Sequence, residues 1–431
     1  MPLFAAAEVA LGRQRAPQYE FGKNLVPYLR SANIVDGALD LTDVKSMNFT
    51  PAEQNIFSLR YGDVLMTEGS GSRDSVGASA VWGAELAGPV CFQNTLLRLR
   101  PRKEVSDGRF LYWWARHAHA SGEIAAVASG ANIKHIGAGS LRRLPVLLPP
   151  LDEQRRIAAF LDDQVARIDK AIALRERQIA IVELRRSAVL EQRVLGSQND
   201  DRIGAAWEPF GEVPSHWKQG QLRSVECDVQ TGPFGTQLHS DEYVTDGWPV
   251  VNPAGISPNG LTAVPGMAID TRTRARLREH ILRRSDVVFG RRGELGRAGL
   301  VDVEQEGWVC GTGSLRVRIA GYDLNPAYLL RLLRTTALRY YFDTQAVGST
   351  MANLNTGILM AMPILLPPRA EQDQIVEQAT MAEAAHRELT IATTSQVLLL
   401  QERKRSLITA AVTGEFDVSS ASTRALAGAA S

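Results

Sequence analysis

The side chains best suited to chemistry in this chain are arginines. Over residues 272–297 the sequence carries Arg272, Arg274, Arg276, Arg278, Arg283, Arg284, Arg291, Arg292 and Arg297 against Glu279, Asp286 and Glu294. A charge run is usually a solvated face. Nine arginines without one lysine favour another use, because the planar guanidinium fork matches phosphate oxygens or the edge of guanine. Upstream, Gln230-Thr231-Gly232-Pro233-Phe234-Gly235-Thr236 cannot be regular structure. It is either a tight turn or a loop that brings Gly232, Phe234, Gly235 and Thr236 close to a ligand backbone. Residues 1–143 are less lopsided, with 16 basic and 13 acidic side chains. Only the scattered Arg73, Arg98, Arg100, Lys134, Arg142 and Arg143 are candidates there.

Groups that would make the chain a catalyst are missing from the sequence. No Gly-x4-Gly-Lys-Ser/Thr loop occurs, which argues against an ATP motor. Asn325-Pro326-Ala327-Tyr328 resembles the Asn-Pro-Pro-Tyr motif of adenine methyltransferases, but no glycine-rich cofactor loop accompanies it and helix initiation explains it better. Seven histidines assemble into no Ser-His-Asp or Cys-His arrangement. His117 and His119 lack a neighbouring Cys or acidic cluster, so they are expected on a helix surface and not around a metal. No catalytic residue, metal or resident cofactor is expected.

Composition narrows the setting. The 48 Lys and Arg nearly balance 47 Asp and Glu, so there is no global pull toward nucleic acid or membrane. Cys91, Cys227 and Cys310 form no C-x-x-C pair, as expected for a reducing cytoplasm. Residues 4–11 are short, lack a basic start and include Glu8, which does not suit a secretory signal. No apolar run approaches the roughly 20 residues that span a bilayer.

The elements that position these residues come in two copies. LPVLLPPLDEQRRI at 144–157 recurs as MPILLPPRAEQDQI at 362–375, an offset of 218 residues (362 minus 144) in a chain of 431. At the same offset Leu97-Arg98-Leu99-Arg100 falls on Leu315-Arg316-Val317-Arg318. So long a period predicts two domains and not a solenoid. Short apolar runs broken by Gly, Pro, Asn and Asp predict strands and turns, and Phe110, Tyr112, Trp113 and Trp114 predict a helix whose rings are core.

After each copy, 45 residues follow without Gly or Pro, at 151–195 and 369–413. Each predicts a rod of about 65 Å. The first carries a seam at Leu161, Val165, Ile168, Ile172, Ile179, Val182 and Val189; the second a weaker one at Ile375, Ala382, Ala385, Leu389, Ala392, Leu399 and Ala410. Equal rods within one chain pair most simply as an antiparallel coiled coil, with the globular parts at opposite ends about a pseudo-two-fold axis. Two independent dimerisation helices would need a second chain to hide each seam. The expected class is α+β: a mixed α/β domain over 1–143, a helix over 144–196, a second domain over 197–361, a helix over 362–416 and a disordered Ala- and Ser-rich tail over 417–431.

The doubled Leu-Pro-Pro-x-x-Glu-Gln-x-x-Ile at 148–157 and 366–375 resembles the specificity subunits of type I restriction-modification systems. So do Gly232-Pro233-Phe234-Gly235, Trp217 after Pro214, and Pro27-Tyr28-Leu29-Arg30, and the likeness runs over about 17–416. The stretch before Pro17 departs from it, lacking the Trp-containing opening, so the first domain is expected either to start abruptly or to be trimmed. The resemblance implies two target recognition domains reading the halves of a split, asymmetric site in double-stranded DNA, with the helices as a ruler. It implies no catalysis by this chain. Two modification subunits would bring S-adenosylmethionine and methylate adenine, and two restriction subunits would hydrolyse ATP with Mg. DNA contacts are expected from Arg73, Arg98, Lys134, Gly232, Phe234, Gly235, Thr236, Arg272, Arg274, Arg291, Arg292 and Arg297. Helix-pair or subunit contacts are expected from Glu153, Gln154, Ile157, Leu161, Ile168, Ile172, Ile179, Glu371, Gln372, Ile375, Leu389 and Leu399. The rivals are a coiled-coil scaffold that leaves DNA alone, against which the arginines speak, and a free-standing methyltransferase or nuclease, against which the missing motifs speak.

Overall fold

The computed structural model describes residues 1–35, 37–70, 76–130, 134–257, 260–346 and 353–418. Two compact units emerge: Met1–Arg177 with Thr393–Ser431, and Gln178–Ala392. No helix among the described residues is long and apolar enough to cross a membrane.

In the first unit, strand Leu96–Pro101 lies between Ala7–Leu11 and Val64–Thr67, and Ser79–Val81 completes an antiparallel four-stranded sheet. Strand alternation sends Leu97 and Leu99 to one face, where they join Phe110, Leu111, Trp113 and Trp114 of helix Gly108–Ala120 in one buried cluster. These rings are core, as expected. On the other face the alternating arginines are consumed internally. Arg100 forks onto the buried Asp63 at 2.9 and 2.7 Å. Arg98, 1% exposed, donates to Glu8 at 2.8 Å and to the carbonyl of Ile56 at 3.0 Å. A second sheet pairs Leu25–Leu29 antiparallel to Lys45–Asn48 and parallel to Cys91–Phe92. Leu3 and Val146 fasten the chain's start beside the run into the first long helix, through Leu3 N–H to Leu144 at 2.9 Å and Val146 N–H to Met1 at 2.7 Å.

The second unit repeats this order. Ser314–Ile319 sits between Cys227–Thr231 and Val287–Gly290, with Ala298–Leu300 outermost. Arg318 forks onto buried Asp286 at 2.7 and 2.6 Å, and buried Arg316 pairs with Asp228. A second sheet places Trp248–Val251 antiparallel to Ala268–Ile269 and parallel to Val309–Cys310. Helix Pro326–Leu332 starts on Asn325, whose side chain accepts from Ala327 N–H at 2.8 Å. The Asn-Pro-Ala-Tyr stretch is therefore a helix start, as expected.

Both long helices form, Leu151–Val194 and Arg369–Thr413. Each unit holds part of both, and within each they run antiparallel. In the first unit Phe160 meets Phe416 at 5.6 Å between ring centres and Asp169 meets Lys404 at 2.6 Å, so one number rises as the other falls. In the second unit Glu183 pairs with His386, while Val194 and Ile375 share one apolar cluster. The partner of each helix in each unit is thus the other helix, and the idea of independent dimerisation helices is set aside.

The seam differs from its expected register. Ile157, Leu161, Val165 and Ile168 are buried, and Ile172 and Ile179 are half-buried. On the second helix the buried line runs through Ile375, Ala379, Thr393, Val397, Ile408 and Ala411, whereas Leu389 and Leu399 are 44% and 64% exposed. Apolar periodicity missed this because polar His386, Thr390 and Lys404 lie half-buried along the true line, two of them facing carboxylates. His117 is a second correction: it is buried and its ring bonds Thr409 at 3.1 Å, so it does not lie on the surface.

Candidate nucleic-acid interface

Each copy is fixed to its long helix by one glutamine. Gln154 and Gln372 are fully buried, one turn inside their helices. The side-chain oxygen of Gln154 accepts from Asp107 N–H at 2.9 Å; its NH₂ donates to the carbonyls of Val105 at 3.0 Å and Pro149 at 2.8 Å. Gln372 accepts from Asn325 N–H at 2.8 Å and donates to Asp323 at 2.7 Å and Pro367 at 2.8 Å. Every partner is displaced by the same 218 residues. A buried amide that meets both its donors and its acceptor stabilises one arrangement and penalises others, since losing a partner strands a buried polar group. The doubled Glu-Gln is thus a clamp between globular part and helix. This corrects the expectation that Gln154 and Gln372 lie in the helix-pair contact. Glu371 likewise reaches His216 at 2.9 Å, while Glu153 is half-buried and makes no side-chain bond among the described residues.

Away from the clamp, loops gather at one end of each four-stranded sheet. In the second unit these are 232–238 after strand Cys227–Thr231, 291–297 between Val287–Gly290 and Ala298–Leu300, and 311–313 before Ser314–Ile319. Gly232 is required here: a Cβ on it would lie 1.8 Å from the Gly311 carbonyl oxygen. Its copy Gly12 would put a Cβ 2.2 Å from the Gln93 oxygen. Arg291 N–H donates to Gly313 at 2.8 Å, and Leu354 N–H donates to Arg291 at 2.9 Å. The loops are therefore stitched to one another by main chain.

On this frame Phe234 is 47% exposed, and Gly235 and Thr236 are exposed beside it. The Arg291 guanidinium lies over the Phe234 ring at 4.5 Å, with its Nε donating to Leu354 at 3.3 Å. Burial pulls the Arg291 guanidinium down from its usual range, and Arg292 adds to the effect. Arg292 and Arg272 are exposed. Arg274 lies 3.7 Å over Trp248 and donates to Gly307 at 2.9 Å, and Arg276 pairs with Glu242, so these two serve the fold. Arg297 lines a cleft of about 760 Å³ with Arg186, Arg331, Arg339 and Glu383.

The first unit offers less. Arg98 is spent inside the sheet, because a guanidinium sealed between Glu8 and two carbonyls cannot reach a groove; this corrects its assignment to DNA. Lys134 lies in a short strand with His135 against Gly69–Ser70. Arg73 falls outside the described residues, as does the tail from 419. Sequence reasoning missed Glu68, which holds His135 at 2.9 Å in the loop equivalent to that of Arg291. Burial pushes the Cys91 thiol up to about 11 and Cys310 to about 12, so both stay protonated at neutral pH.

Fold and site together define an internally doubled chain in which dissimilar loop sets are mounted on one repeated sheet and one repeated helix clamp. A family model described as the type I restriction modification DNA specificity domain matches it twice, over residues 15–183 and 216–384, and the chain belongs to that family of specificity subunits. It is 25% identical to the EcoKI specificity subunit of Escherichia coli (strain K12) over 361 residues, 82% of this chain and 74% of that one. Against the StySPI specificity subunit of Salmonella potsdam it is 30% identical over 174 residues, 40% of this chain and 36% of that one. A solved chain from work on complex assembly and conformational transition of the type I R-M system superposes with a TM-score of 0.74 at 19% identity, covering 96% of both. The HsdS subunit of Thermoanaerobacter tengcongensis gives 0.57 at 18%, again over 96% of both. The expected α+β fold with an internal repeat is borne out.

Proposed function

We propose that this chain gives a type I restriction-modification complex its DNA sequence specificity. Each globular part reads one half of a split, asymmetric site, and the helix pair sets the gap. Adenine methylation with S-adenosylmethionine belongs to two modification subunits, and ATP- and Mg-dependent restriction to two further subunits; this chain supplies no catalytic group and works in the cytoplasm. The observation that carries the reading is the contrast within the repeat: matching clamps and matching central sheets support loops of opposite character, as unlike half-sites require. Arg272, Arg291, Arg292, Arg297 and Phe234 in the second unit and Lys134 in the first are the DNA-facing candidates. The exposed Leu389 and Leu399 suit a partner-covered face of the second helix. With 48 basic and 47 acidic side chains, the chain alone is expected to bind DNA weakly, because phosphate neutralisation supplies most non-specific affinity.

The test is to express the chain with its partner subunits in a methylation-free host and map modified adenines by long-read sequencing. A bipartite motif with unlike halves, lost when this chain is deleted, is the expected result. A contiguous motif, or methylation that persists without the chain, overturns the reading.

A further inference from the structure

We propose that Arg291 reads a guanine in the half-site of the second unit, with Phe234 as its positioning platform; this rests on the DNA-reading function above. Arg291 is half-buried, and no carboxylate bonds it among the described residues. Arg291 stands in the loop just past Gly290, whereas the withdrawn arginines of the two central strands each meet an acid: Arg98 meets Glu8, Arg100 meets Asp63, Arg316 meets Asp228 and Arg318 meets Asp286. A desolvated cation without a counter-charge is costly, so it marks a place where an acceptor arrives from outside.

Geometry says which kind of acceptor. The ring of Phe234 below and the Leu354 carbonyl on Nε fix the plane of the guanidinium. The bond on Nε leaves the two terminal nitrogens as the open end of the fork. Main-chain bonds from Arg291 to Gly313 and from Leu354 to Arg291 hold the Cα. A phosphate contact needs only charge and tolerates a swinging side chain; a base contact needs a fork held in plane and in place. A held pair of parallel N–H donors matches O6 and N7 of guanine in the major groove.

The first unit sharpens the assignment. Ile136 N–H donates to Glu68 at 2.7 Å as Leu354 N–H does to Arg291 at 2.9 Å, so Glu68 and Arg291 occupy one position of the repeat. There the first unit has a carboxylate joined to His135, and Gly69 follows where Arg292 stands in the second. The guanine fork belongs to one reader alone.

The experiment uses the complete complex. Methylated adenines are mapped for wild type, Arg291→Ala and Arg291→Lys, and binding is measured for wild-type complex on its own site with 7-deazaguanine, which lacks N7, in place of each guanine in turn. The wild-type motif is expected to hold a G·C pair in one half that becomes relaxed at that position in Arg291→Ala, with the other half and the gap unchanged. Discrimination there should fall about tenfold to a hundredfold. Lysine should not restore it, and one 7-deazaguanine should weaken wild-type binding about tenfold. Discrimination restored by lysine would mean that a point charge suffices where a held fork is proposed, and would overturn the proposal. So would a motif unchanged in Arg291→Ala, or 7-deazaguanine tolerated at every position. Absence of any bipartite motif in wild type would instead refute the function on which the proposal rests.

Discussion

The two copies agree where a globular part meets its helix and disagree where the sheet ends in loops. At the helix, Gln154 and Gln372 make the same three bonds, at 2.9, 3.0 and 2.8 Å against 2.8, 2.7 and 2.8 Å. At the loops, Glu68 with His135 stands where Arg291 lies over Phe234. The difference teaches how such a repeat divides its labour. The clamp contacts are duplicated down to the atom, whereas the side chains proposed to meet DNA diverge, as readers of two unlike halves must.

Removing the buried carboxylates should cost the most stability. Asp63→Ala and Asp286→Ala each strand an arginine in the sheet and should each cost about 3–5 kcal/mol. Denaturant unfolding should give losses of similar size; a large loss in one copy alone would mean that the sheets are not equivalent. Next come the clamps. Gln154→Leu and Gln372→Leu each leave a buried backbone N–H without its acceptor, which costs about 1–3 kcal/mol. Amide exchange should quicken at Asp107 only in the first variant and at Asn325 only in the second. Exchange that quickens at neither site would mean that the glutamines do not clamp the globular parts to their helices.

The smallest effects lie on the helix pair. Lys404→Ala should cost roughly 0.2–1 kcal/mol, less in high salt, since the pair with Asp169 is solvent-accessible. Glu183 adds a pH signature. Partial burial works to raise its carboxyl, but Arg186 and His386 together hold it below the ordinary value of 4.5. A depressed carboxyl contributes stability above that value and loses it as pH falls through the folded-state value. Glu183→Gln should therefore be slightly less stable than wild type at pH 7, with the gap closing below about pH 4.5. A gap that persists into acid would assign the effect to packing.

Much of this was legible in the sequence. The repeat, both rods, the aromatic core helix and the start at Asn325 follow from spacing and punctuation that act locally. The registration of the second helix was not legible, because its buried line includes His386 and Lys404, whose burial depends on acids contributed by the other helix, and Thr390, whose hydroxyl pairs with the His386 ring. Nor was the fate of Arg98. A strand arginine reads the same whether it faces water or a carboxylate such as Glu8, which lies 90 residues away. Gln154 and Gln372 were recognisable as special only by their recurrence. Their role depends on three partners in another element, and propensity carries no trace of that.

Two readers are proposed to meet one duplex at a separation set by the helices. Four residues inserted after Ala173, matched by four after Leu400, lengthen both rods by about 6 Å while nearly preserving their faces. Methylation mapping of that complex should return both half-sites unchanged, with a gap longer by roughly two base pairs. The same halves at the original gap would contradict it.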